Sequence, residues 1–408
     1  MNRLVLIGNG FDLAHGLKTK YEHFIDWYWD YRLHGIIGNQ SNVSEDILCK
    51  LICINKLWTG ALFFDYELKK SYGIKIYNHL KGNKNEYRVE LSPLFERIMT
   101  SVETKGWVDV ENEYYELLKN RILKTDDVSE VESLNTQLRY IQDKLVEYLK
   151  SIEISDKLIK SDIRQKIYSP FIIQDVSIEG QHALKEHVEY GLKLDRNSLD
   201  TKLQQYGSKC YSSGWVEDYL NKMSKTKLQY DELPVELLLP NQIMLLNFNY
   251  THIARLYLKK DSLFTVNQIH GDLDNPSSII FGYGDELDSD YKKIENRNDN
   301  RLLENIKSIK YLEADNYRKV LSFIESEPYQ IIIMGHSCGN SDRTLLNTLF
   351  EHKNCVSIKP YYHQKGEHDD NYIELVQNIS RNFKDMKLMR DRVVNKTYCE
   401  PLTNRNNN

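Results

Sequence analysis

Residues 4–7, Leu-Val-Leu-Ile, form an unbroken apolar run, and Gly8, Gly10 and Gly16 follow it within a few positions. A strand buried on both faces of a parallel sheet needs such a run, because helices cover both sides of that kind of sheet. Glycine just past the strand lets the chain turn sharply and approach a ligand closely, and the helix end that follows favours an anion. The spacing lacks the full GxGxxG of a dinucleotide fingerprint, and no ribose-binding acid is evident downstream. A strand, a tight turn and a helix are predicted here, serving either a phosphate-bearing ligand or close backbone packing. Thr19-Lys20-Tyr21-Glu22 fits a capping box, which would start the helix carrying Phe24, Ile25 and Tyr28.

The chain has 408 residues and a net charge of -5, so no overall field recruits nucleic acid or an anionic membrane. Six cysteines are scattered, and Cys49 and Cys53 make a C-x3-C pair without a second pair. Reduced thiols and no metal site are expected. No run approaches the ~18 apolar residues of a membrane span, and the first apolar stretch is too short for a signal peptide. A cytoplasmic protein without a membrane partner is expected.

Residues 38–92 give few clear boundaries. Leu94, Phe95, Ile98, Met99 and Val102 recur at helical spacing, with Gly106 as a stop or break. In WVDVENEYYELL, Asp109 and Glu111 would share a face only in an extended segment, or else act as acids of a helix N-terminal turn. Ser129 to Glu132 fits a second capping box. It opens a heptad seam of Val131, Leu134, Leu138, Ile141, Leu145, Tyr148 and Ile152, which would pair with another helix of the chain or with a second subunit.

Strands return with Ile243 to Leu246, Phe264 to Ile269, Ile279 to Phe281, Ile331 to Met334 and Val356 to Tyr362. Helices are predicted at IARLYL, Tyr317 to Ile324, TLLNTLFEH and Ile373 to Phe383. Alternation at both ends predicts one doubly wound, Rossmann-like α/β nucleotide-binding domain with a parallel sheet. It would comprise residues 1–85 and 235–400, with 86–234 as a large, mostly helical insertion and 401–408 as a disordered tail.

Four polar motifs fall at the predicted C-terminal ends of four strands: Gly8-Asn9-Gly10, Asn249-Tyr250, His270-Gly271 and Gly335-His336-Ser337. Ligands bind at that edge of an open parallel sheet, although a histidine or asparagine there can equally be structural. Gly335-His336-Ser337-Cys338-Gly339 also fits a G-x-S-x-G nucleophile elbow, which would make Ser337 an acyl-transfer nucleophile. The histidines left downstream are His352, His363 and His368, and His363 and His368 precede rather than follow Asp369 and Asp370.

GNGFDLAHGLKTKYEHF, WVDVE, LNFNYTHIARLY, QIHGDL with IIFGYGDE, and IIIMGHSCGNSD followed by IKPYYH resemble, in that order, the bacterial abortive-infection family AbiH. The resemblance implies anti-phage defence by a toxic activity. A more distant similarity is to sirtuin-like NAD-consuming domains, which match Gly8, Gly10, Gly16, Asn249, His270-Gly271, Gly335, Ser337 and Asp342. Here Asp12 stands in place of a serine, Lys18 of a proline and Thr251 of an aspartate, and the arginine after that proline is missing.

That similarity implies a sirtuin-like fold that hydrolyses NAD or a related nucleotide. Asn249, His270 and Asp12 would be catalytic: Asn249 orients the attacking group, His270 removes its proton and Asp12 stabilises the cationic ribose. Gly8, Asn9, Gly10, Phe11, Gly16, Thr19, Tyr250, Gly271, Gly335, His336, Ser337 and Asp342 would hold the nucleotide, with the diphosphate on Gly8 to Gly10. NAD is then substrate and no other cofactor is implied. A nucleotide sensor without turnover, and an interaction protein addressed to a phage or defence-system protein, are the alternatives.

Overall fold

The computed structural model describes residues 1–38, 42–54, 74–105, 108–125, 128–194, 196–206 and 235–403. Its strands are β1 (Asn2–Ile7), β2 (Val43–Glu45), β3 (Cys49–Cys53), β4 (Tyr87–Leu91), β5 (Ile243–Asn247), β6 (Phe264–Gln268), β7 (Tyr329–Met334) and β8 (Cys355–Tyr361). Five of them form one sheet in the order β6-β5-β1-β7-β8, and every pairing is parallel. The apolar run of β1 is the centre of this sheet, with Val5 level with Leu245 on one side and Ile332 on the other.

Both faces are covered, which explains why the run has no polar position. Leu4 and Leu6 pack on one face with Ile331 and Ile333, under α7 (Asn316–Ser326), α8 (Arg343–Glu351) and α9 (Tyr372–Arg381). Val5 and Ile7 pack on the other with Leu245 and Ile332, under α1 (Asn9–Ala14) and α6 (Ser161–Ile167). A further core joins α2 (Tyr21–Gly38), α3 (Pro93–Lys105), α4 (Val110–Asn120) and α5 (Val131–Lys150) to the antiparallel sheet β2-β3-β4. The seam of α5 lies inside this core: Val131, Leu134, Leu138, Ile141, Leu145 and Tyr148 are all buried in it.

Several local expectations are corrected. The first helix starts at Asn9, directly after Gly8, and α2 starts separately at Tyr21. Lys20, not Thr19, directly precedes the first residue of α2, and the Thr19 hydroxyl donates to Asn9 Oδ1 at 2.5 Å. At the second box, Glu130 rather than Ser129 occupies the N-cap of α5. IARLYL forms a 3-10 helix, Ile253–Tyr257. Residues 279–281 are not a strand of the sheet. Ile279 and Phe281 face the helical core while Ile280 faces the sheet core, so an alternating pattern arises where a loop is wedged between two cores. The small sheet β2-β3-β4 lies where no strand is predicted, because its outer strands are short and half-exposed. Leu402 is buried and its N–H donates to Tyr362 O, so residues 401–403 are ordered. Gly106 and residues 404–408 lie outside the described residues.

The turn after β1 presses against the turn after β7. Gly10 N–H donates to Gly335 O at 2.8 Å, and a Cβ on Gly335 would stand 2.1 Å from Phe11 N. Gly335 also has φ +75°, where a side chain is strained. Gly16 shares a positive φ but has open space around it. Gly335→Ala is therefore expected to destabilise the protein by more than about 3 kcal/mol, against about 1–2 kcal/mol for Gly16→Ala, in urea denaturation.

Candidate functional site

A cavity of about 930 Å³ opens beyond the C-terminal ends of the parallel strands. The segment after β1 contributes Gly8, Asn9, Gly10, Asp12 and Thr19 to its wall, and the segment after β5 contributes Asn249 and Tyr250. His270 follows β6, and Gly335, His336, Ser337 and Asp342 follow β7. Three residues expected at the site stand off this wall. Phe11 is buried between the rings of His15 and Tyr257, and Gly16 closes α1. Gly271 has φ +78° and abuts Ser278, where a Cβ would lie 2.2 Å from the Ser278 carbonyl oxygen.

The glycine turn is not the open phosphate cradle expected from sequence. Gly8 N–H donates to Met334 O and Gly10 N–H to Gly335 O, so both donors are spent on the neighbouring turn. Close backbone packing accounts for these glycines, since a Cβ on Gly8 would meet His336 Cα at 2.5 Å.

Asp12 is also placed differently from expectation. It is 1% exposed, and its two oxygens accept from Asn249 Nδ2 at 2.6 Å and from Thr251 Oγ1 at 2.7 Å. Burial pushes its carboxyl up to about 7, and the two hydrogen bonds oppose that rise. Asn249 Nδ2 donates as well to Gly8 O at 3.0 Å. A carboxylate whose oxygens are engaged this way is not presented to a cationic ribose.

Deeper in the wall, Lys307 is 1% exposed and donates to Asp342 Oδ1 at 2.7 Å and to Glu111 Oε2 at 2.9 Å. Burial opposes its charge, yet Asp342 and then Glu111 more than offset this and hold the ammonium above its ordinary range. Glu111 is pushed up to about 7 by burial despite Lys307. Burial would also raise Asp342, but Lys307 and His270 hold it well below the usual carboxylate range. Asp109, the N-cap of α4, accepts from Asn112 N–H and is raised by burial.

Two histidines face Asp342. His270 Nε2 lies 3.3 Å from Asp342 Oδ1 and 3.1 Å from the Tyr311 hydroxyl. Its Nδ1 lies 3.2 Å from the Phe248 carbonyl, which can only accept, so Nδ1 carries a proton. Burial, with Lys307, lowers its pKa against the pull of Asp342. His336 Nδ1 accepts from Cys338 N–H at 2.9 Å, leaving Nε2–H directed at Asp342 Oδ2, 3.5 Å away.

Sequence reasoning left Lys307, Glu111, Asp109, Thr251 and Tyr311 without a role at the site. The pair in WVDVE offered a signal, and the start of α4 at Val110 puts both acids on the cavity wall. Lys307 offered none, because its partners lie 196 and 35 residues away. Among the described residues no serine triad is assembled. Ser337 is exposed, no histidine hydrogen-bonds its hydroxyl among the described residues, and Cys338 rather than Ser337 has the positive φ, 55°. Among the described residues no group of three or more His, Cys, Asp or Glu side chains is placed to hold a metal ion.

Removing Lys307 strands buried carboxylates. Lys307→Met is expected to cost about 3–5 kcal/mol in urea denaturation, partly relieved by Glu111→Gln in the same chain. Asp12 gives a pH signature. Its folded pKa of about 7 exceeds the unfolded value, so its contribution is complete below pH ~4 and is lost as pH rises to ~7. The stability of the parent relative to Asp12→Asn should fall across that window by up to about 1.4 kcal/mol per pH unit, then level off.

Over 344 residues the chain is 23% identical to reticulocyte-binding protein homolog 1 of Plasmodium falciparum (isolate 3D7), a stretch that is 77% of this chain and 11% of that protein. The chain thus spans about a ninth of that relative's length, and this likeness assigns nothing here. No solved structure matches. A family model described as "Bacteriophage abortive infection AbiH" matches residues 4–363. That match runs from the central strand β1 past the end of β8, and the chain belongs to the AbiH family of bacteriophage abortive infection proteins.

Proposed function

We propose that this abortive-infection protein binds NAD or a related nucleotide in the strand-end cavity and cleaves its N-glycosidic bond, releasing nicotinamide. The observation that carries the reading is convergence. Motifs after β1, β5, β6 and β7 meet on one cavity, beside the central strand. Counted within the sheet alone, the strand order is 3-2-1-4-5, as in doubly wound dinucleotide-binding folds, whose ligands sit where the order reverses.

Two departures from the sirtuin-like pattern also support it, because they compensate. Asp12 replaces a serine and Thr251 an aspartate, and the two side chains are hydrogen-bonded at 2.7 Å. A hydroxyl and a carboxylate still occupy the two places, in exchanged order, and here they meet.

In this reaction the bond from the ribose anomeric carbon to nicotinamide breaks, nicotinamide leaves neutral, and water adds to the cationic ribose. Asn249 would hold the water and His270 Nε2 would take its proton, a role that the lowered pKa of the ring favours. The negative potential of Asp342, Glu111 and Asp109 would favour the cation, in place of Asp12. Asn9, Lys20 and Ser337 carry donors for the phosphates along the same wall. Loss of NAD would halt metabolism in the infected cell, with a phage or defence-system protein, or self-association, as the trigger. This places the activity in the cytoplasm, and among the described residues no helix is long and apolar enough to cross a membrane.

One observation favours a second reading. His270 Nε2 already faces Tyr311 and Asp342, so the pocket could sense a nucleotide without turning it over. Nicotinamide release, measured by chromatography with purified protein and in phage-infected cells, separates the two. The catalytic reading expects release that falls by about a hundredfold or more in His270→Ala and Asn249→Ala. A rise in melting temperature with NAD left intact under both conditions assigns the sensor.

A further inference from the structure

We propose that Asp12 is a positioning residue: with the Gly8 carbonyl it takes both amide hydrogens of Asn249 and turns Asn249 Oδ1 into the cavity as an acceptor for a hydroxyl-bearing ligand or its attacking water. Choice of partner follows from chemistry. A terminal amide has two hydrogens on Nδ2 and lone pairs on Oδ1. Here one hydrogen goes to the Gly8 carbonyl at 3.0 Å and the other to Asp12 Oδ1 at 2.6 Å. A carbonyl can only accept, so the reverse orientation would set Oδ1 against the Gly8 oxygen. The amide is therefore locked, and the group it has left for the cavity is an acceptor.

Thr251 completes the device. Its hydroxyl donates to Asp12 Oδ2 at 2.7 Å and so fixes the rotation of the carboxyl group that Asn249 leans on. The three side chains tie the helix after β1 to the turn after β5, across 237 residues of chain between Asp12 and Asn249. Because Asn249 offers no N–H to the cavity, a ligand contact at this point must bring its own hydrogen. A ribose hydroxyl or a water fits, and a bare phosphate or carboxylate oxygen does not.

The inference rests on the nucleotide reading of the cavity, and its test is built to fail separately. Asn at position 12 copies the protonated acid, since its oxygen can accept from Asn249 while its amide donates to Thr251. Ala removes the support. If Asp12 acts through Asn249, Asp12→Ala lowers kcat for nicotinamide release by about a hundredfold, the scale set by misplacing a group by ~1 Å. Asp12→Asn then stays within about tenfold of the parent, because both contacts are kept and only their charge assistance is lost. In an Asn249→Ala background, Asp12→Ala adds no further loss. Equal losses in Asp12→Asn and Asp12→Ala, or losses that multiply in the double variant, overturn the inference and assign Asp12 a direct electrostatic role. If the parent releases no nicotinamide and NAD does not shift its melting temperature, the nucleotide reading fails, and crystal structures of the two variants decide the inference. Asn249 should rotate away from Gly8 in Asp12→Ala and stay in Asp12→Asn. An unmoved Asn249 in Asp12→Ala overturns it.

Discussion

The contact between the turn after β1 and the turn after β7 sets the terms for everything around it. Backbone meets backbone there: Gly10 bonds to Gly335, and neither Gly8 nor Gly335 has room for a methyl group. Closing that gap draws α1 against the β7 turn and puts Asp12, Asn249, His270 and His336 on one wall. The glycines thus shape the cavity from behind. Their amides face each other, and the polar work at the surface falls to side chains from the strand ends.

A second constraint is electrostatic. Glu111 and Asp342 are buried against one ammonium, that of Lys307, with the half-buried Asp109 and two histidines close by. Taking such charges out of water costs several kcal/mol per ion unless partners and hydrogen bonds make it good. Glu111 belongs to α4 of the helical layer, whereas Asp342 belongs to the loop after β7, so the ammonium is also a joint between the two halves of the cavity wall.

How much of this was legible in the sequence depended on the range of the interactions involved. The strands β1, β5 and β7 could be read because burial on both faces leaves an unbroken apolar run, whereas the edge strands β6 and β8 mix polar and apolar residues. The seam of α5 could be read from its spacing. By contrast, the loop at 279–281 imitated a strand because it serves two cores at once, and the small antiparallel sheet left only weak patterns. On the cavity wall, Asn249 and His270 could be picked out because they sit at fixed offsets from strand ends, and Asp342 from the sirtuin-like resemblance. The direction of Asp12 and the presence of Lys307 were not, since each is decided by partners far away in the chain, and no local spacing encodes such a partner.

The position of β1 also has a price in assembly. It precedes the other four strands of the sheet in the chain and is the central one, yet both its neighbours, residues 243–247 and 329–334, lie far downstream. Contacts of such long separation form slowly, since loop closure must precede any gain from pairing. During synthesis this apolar strand waits with both edges open while the helical core builds from the residues between. The long segment that separates β1 from β5 is therefore a delay line for folding as well as a structural layer, and the sheet closes only after β7 has left the ribosome.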